Sequence, residues 1–100
     1  GGSPDENIAK FEKAYKKAEE LNQGELMGRA LYNIGLEKNK MGKVKEAIEY
    51  FLRAKKVFDA EHDTDGARRA AKSLSEAYQK VEGSGDKGKI FQKEGESILE

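Results

Sequence analysis

Between Glu46 and Phe58 the apolar residues Ala47, Ile48, Phe51, Ala54, Val57 and Phe58 recur at steps of three and four. That spacing places them on one face of an α-helix, with Lys45, Glu46, Glu49, Arg53 and Lys56 on the other. Counting back forty residues from Ile48, Phe51 and Ala54 lands on Ile8, Phe11 and Ala14. Counting forward forty from Ala30, Leu31 and Ile34 lands on Ala70, Ala71 and Leu74. Two unrelated stripes echo at one lag, which is the mark of an internal repeat.

Turn chemistry separates the stripes: Asn22-Gln23-Gly24, Gly42, Asp63-Thr64-Asp65-Gly66 and Gly83-Ser84-Gly85-Asp86. Gly and Asn tolerate the left-handed backbone that ends a helix. The pattern predicts five helices, near residues 4–21, 25–41, 44–61, 65–82 and 86–99. Ser3 and Glu6 have capping-box spacing, with Pro4 at the first helical position. No stripe closes a core alone. Stacked helical hairpins would bury them in series, and Ala30, Ala47, Ala54, Ala70 and Ala77 would let neighbouring helices approach closely. The expected fold is all-α, a short α-solenoid of about five antiparallel helices. An antiparallel bundle of five helices satisfies the periodicity as well, and the repeat lag favours the solenoid.

Composition sharpens this. Charged residues make up 38% of the chain against about 25% in an average domain, with 19 Lys+Arg balancing 19 Asp+Glu. Such a balance suits helix surfaces, and it removes any global attraction to nucleic acid or an anionic membrane. No apolar run approaches the roughly 20 residues of a bilayer span, and no signal peptide opens the sequence, so a cytoplasmic setting is favoured. Residues 1–3, Gly1-Gly2-Ser3, read as a tag remnant, leaving a single domain over 4–100.

The stretch Gly28–Asp59 resembles a tetratricopeptide repeat. Leu31, Ile34 and Gly35 stand where that family has an aromatic, a Leu and a Gly. Ala47, Phe51 and Ala54 stand where it has Ala, an aromatic and Ala, and Gly42 sits at its turn glycine. Arg68–Leu99 is similar to a worn second copy, with Ala71, Leu74 and Tyr78 matching, and Asn7–Leu21 to the second helix of a preceding copy. The domain then divides into a half repeat over 4–21, a repeat over 25–61 and a degenerate repeat over 65–99. Lys38 and Ser75 depart from the pattern, where a tyrosine and a glycine are usual. The forty-residue lag is similar to the long-helix variant of the family.

Candidate chemistry is sparse. Gly83-Ser84-Gly85-Asp86-Lys87-Gly88-Lys89 lacks both the hydroxyl a phosphate-binding loop needs after its lysine, where Ile90 stands, and the preceding strand. Glu61 to Gly66 has part of a calcium-loop pattern, but Lys72 occupies the position of the bidentate glutamate. His62 is the one histidine, flanked by Glu61 and Asp63 in a turn. No spacing assembles a nucleophile with a base, so neither an enzyme nor a metal or cofactor is expected.

The resemblance implies a protein–protein interaction module, in which the first helix of each hairpin lines a concave groove. Here that groove would present Arg29, Tyr32, Leu36, Asn39 and Lys40, then Arg69, Lys72, Glu76, Gln79 and Lys80. Five cations and one anion would make it locally basic and suited to an acidic peptide or protein segment. The alternative is a structural role, as a piece of a longer scaffold solenoid or a domain that self-associates. Ile90, Phe91, Ile98 and Leu99 on the terminal helix would supply the contact for self-association.

Overall fold

The computed structural model describes residues 2–84, and side-chain environments for residues 2–82. Four helices fill it: α1 (Pro4–Glu20), α2 (Gly24–Lys40), α3 (Val44–Ala60) and α4 (Thr64–Ser84), with no strand among the described residues. The fifth helix expected over 86–99, and with it the Ile90–Leu99 stripe, lies outside them. No turn begins at Gly83, because α4 runs on through Gly83 and Ser84.

The helices start at residues 4, 24, 44 and 64, so one helix and its turn take twenty residues. Each turn has three residues and one construction. Asn22, Gly42 and His62 take the left-handed conformation, at φ 56°, 80° and 59°. The next amide reaches back to the last helical turn: Gln23 N to Ala18 O at 2.8 Å, Lys43 N to Lys38 O at 2.9 Å, Asp63 N to Phe58 O at 2.8 Å. These bonds satisfy carbonyls that a helix end would otherwise orphan. Gly24 and Gly66, expected in turns, are instead helical; the left-handed residue of the third turn is His62.

Helix starts are capped where the sequence allows. Ser3 Oγ accepts from Glu6 N at 3.2 Å while Glu6 Oε1 accepts from Ser3 N at 3.0 Å, a complete capping box. Asp63 Oδ1 accepts from Gly66 N at 2.9 Å and starts α4 in the same manner. Gln23 and Lys43, which precede α2 and α3, make no such bond.

Packing is sequential. Each helix lies against the next, α2 also meets α4, and α1 approaches the backbone of neither α3 nor α4. A closed four-helix bundle would bring its first and last helices together. These four stay open, with α2 and α4 forming one wall. Among the described residues α3 contributes the largest share of the core. Ala47, Ile48 and Phe51 bury against Leu74, Ala77 and Val81 of α4, while Ala54 and Phe58 bury with Leu31 and Ala70. Phe51 is fully buried, and a buried ring of that size contributes roughly 1.5–3 kcal/mol. Phe58 sits between two helices that have no side chain at the contact. A Cβ on Gly28 of α2 would come within 2.8 Å of its ring, and one on Gly66 of α4 within 2.5 Å. Ala71, expected in the second copy's stripe, is exposed; Ala70 takes the core position.

On the outer side, the Arg53 guanidinium of α3 stands 5.8 Å from the Tyr15 ring of α1 and 5.3 Å from the Tyr50 ring. Its charge on two ring faces bridges helices whose backbones do not touch.

Candidate functional site

α2 and α4 run parallel, because two antiparallel steps separate them, and side chains join them at two heights. The Tyr32 hydroxyl and Ser73 Oγ lie 3.0 Å apart, and Lys80 Nζ donates to Asn39 Oδ1 at 3.4 Å. Both pairs span 41 residues. Residues 32 and 39, like 73 and 80, are seven apart, or two helical turns, so the rungs stand roughly 10 Å from one another along one seam.

Beside the seam lies a solvent-open cleft of about 360 Å³, lined by Glu25, Arg29, Tyr32 and Asn33 of α2, Asp65, Gly66 and Arg69 of α4, Phe58 and Asp63. The Phe58 edge is reached between helices because position 66 carries no Cβ. Arg29 and Arg69 are both exposed on the cleft wall, and neither forms an ion pair among the described residues. Helical spacing carries the same surface along α2 through Leu36 and Lys40 and along α4 through Lys72, Glu76 and Lys80.

The ten residues expected in the groove therefore fall into two groups. Arg29, Arg69, Lys72, Glu76, Gln79 and Lys80 are exposed, with Gln79 at the outer edge. Tyr32, Leu36 and Asn39 are half-buried and belong partly to the framework. Tyr32 packs its ring 5.5 Å from that of Phe51, and Leu36 lies against the α3–α4 core. Lys40 is exposed but donates to Glu37 Oε2 at 3.1 Å. Glu37, the buried charged residue of this region, also accepts from Asn7 Nδ2 of α1 at 3.3 Å. Two donors on one carboxylate offset its loss of water.

Sequence reasoning missed the acidic members. Glu25 and Asp65 stand four residues before Arg29 and Arg69, and the two acid–arginine pairs are themselves forty apart. The same lag that found the apolar stripes would have found them. Ser73 carried no such signal, since its role depends on where Tyr32 reaches. His62 is exposed in its turn, and no group of three or more His, Cys, Asp or Glu able to hold a metal occurs among the described residues. No helix among them is long and apolar enough to cross a membrane.

Neither a protein-family description nor a curated protein matches the chain. A solved structure does: the solution NMR structure of the designed protein DA05R1 is 72% identical, over 89% of this chain and 88% of that one, with a TM-score of 0.70.

Proposed function

The chain belongs to one sequence family with a designed helical protein, and from that premise we propose that it is a tetratricopeptide-like solenoid module whose α2–α4 wall binds an acidic peptide or protein segment. The observation that carries the reading is the seam itself. Two helices one hairpin apart are held side by side by bonds at a constant offset of 41 residues, which leaves a shared solvent-facing surface. Sequential packing without closure supports the solenoid, since a further hairpin could add to α4 without disturbing α1.

Arg29, Arg69 and Lys72 give that surface cations on short, parallel helical rows, and arginine forks match carboxylates in two-point contacts. Partly exposed Tyr32 and Leu36 add apolar contact beneath them. Charge reversal of Arg69 and Lys72 to Glu tests the reading against a glutamate-rich peptide. We expect amide shifts along α2 and α4 in the parent and none in the variant. Equal shifts in both would remove the groove from the explanation.

A second reading has its own support. The similarity to a designed protein and the uniform twenty-residue spacing fit a chain made to test a fold, with no ligand selected for. A chain of that kind would show no saturable shifts with peptides of either charge.

A further inference from the structure

The α2–α4 wall is not uniformly charged along its length, and the distribution has a direction. At the end where α2 and α4 begin, Glu25 and Asp65 form an acidic lip. Asp63 is also there, but its carboxylate is engaged in capping Gly66 N. One turn inward come Arg29 and Arg69, and a further turn along α4 comes Lys72. At the other end Lys80 stands beside Asn39, with Lys43 of the α2–α3 turn lining the same hollow as Lys80. Glu46 lines it too, with its carboxylate held 2.8 Å from Lys38 Nζ. Glu76 interrupts the basic row once.

Asp65 and Lys80 are fifteen residues apart on one helix, hence about 22 Å. The Debye length at physiological salt is about 8 Å, so a ligand meets the lip and the basic row as separate fields. Neither arginine is tied to the lip acids by an ion pair, which leaves the guanidinium donors available to a ligand carboxylate.

We propose that the groove selects the orientation of its ligand: an acidic segment bearing a basic residue at one end, with that basic end seated at Glu25 and Asp65. The inference rests on the peptide-binding reading above and adds the pattern of charge the peptide must carry. A segment of about seven extended residues spans the distance. Placed the other way round, its cation would face Lys80 and Lys43 while carboxylates faced the lip, and like charges in register are penalised at both ends.

The absence of cysteine makes the test clean, since a nitroxide can be confined to the peptide. Two probes are used, each a run of glutamates about a central tyrosine. One carries two lysines at its N-terminus and the other carries them at its C-terminus, and each is spin-labelled beside the lysines. With the unmodified protein, both labels should broaden the amides of Glu25 and Asp65 and leave Lys43 and Lys80 sharp, although the peptides then run in opposite chain directions. The E25K/D65K variant, checked for helix content, should lose this preference, so that neither label selects the amides of residues 25 and 65 over those of Lys43 and Lys80. Saturable binding with both ends broadened equally overturns the orientation rule and leaves the groove intact. No binding by either probe overturns both. Shifts at these amides that follow protein concentration alone would assign the surface to a second copy of the chain instead.

Discussion

The Tyr32 hydroxyl of α2 and Ser73 Oγ of α4 meet at 3.0 Å, between helices that α3 separates in the sequence. Tyr32 also stacks obliquely on Phe51, rings 5.5 Å apart and tilted by 47°, so one side chain joins α2 to both members of the α3–α4 hairpin. The contact ties α2 to α4 directly at this height.

Removing either oxygen should therefore loosen the wall. Y32F and S73A should each lower stability by roughly 0.5–1.5 kcal/mol, the net value of a partly buried hydrogen bond. Because the two groups act on one another, the double variant should cost less than the sum. Urea denaturation of the four proteins gives the coupling, and strict additivity would mean that water replaces the bond at no loss.

The Cδ1–Cε1 edge of the Phe58 ring lies hard against two glycines. G28A adds helix propensity of up to about 1 kcal/mol, but places a methyl 2.8 Å from Phe58 Cε1, on a ring edge that also lies against Gly66. Overpacking typically costs about 1–3 kcal/mol, so the net effect should be destabilising. F58L in the same chain should recover part of the loss. A melting temperature for G28A above that of the parent would show that α2 and α3 can separate freely.

His62 holds φ 59° at a position where Gly42, twenty residues earlier, holds 80°. A β-carbon in that region is disfavoured by about 1 kcal/mol, partly offset by the extra freedom that glycine gives the unfolded chain. H62G should thus raise stability by a few tenths to about 1 kcal/mol, without altering the helical circular dichroism. Destabilisation would reveal a contact of the imidazole that outweighs the backbone preference.

The Lys38–Glu46 ion pair, at 2.8 Å, ties α2 to α3 where a tyrosine would be usual for the resembled family. Its hydrogen bond holds the Glu46 carboxyl below its ordinary 4.5, with desolvation opposing, and raises the Lys38 ammonium above its ordinary 10.5. A carboxylate with a depressed folded pKa stabilises above its unfolded value and ceases to as pH falls through the folded one. The raised lysine contributes below 10.5 and is lost as pH rises through its folded value. E46Q should consequently melt lower than the parent by a constant margin from roughly pH 6 to 9, and that margin should close on acidification. A gap that persists at acid pH would assign the loss to packing.

How much was legible follows from which features are periodic. The stripes through Ile8, Leu31, Phe51 and Leu74 forecast four helices to within two residues at each described boundary, because burial on a helix imposes its own period. Asn22 and Gly42 announced their turns by residue type. His62 did not, and Gly24 and Gly66, expected within turns, lie in the helices that follow those turns, since a glycine in sequence does not say whether it serves a left-handed turn or a close approach. Position on the helix placed Arg29 and Arg69 on one surface, and both line the cleft. Glu25 and Asp65 recur at the same forty-residue lag as Arg29 and Arg69, but a linear pattern does not say that the starts of α2 and α4 border one cleft.

The sequence by itself determined the helices, their forty-residue recurrence and their buried faces, all consequences of local backbone geometry and the avoidance of water by apolar side chains. Only the tertiary structure decided that α2 stands beside α4, that Phe58 lodges between Gly28 and Gly66, and that Tyr32 reaches Ser73. Those depend on interhelix distance and rotation, which are set by the volumes of side chains meeting from three helices at once. A one-dimensional pattern does not contain that sum.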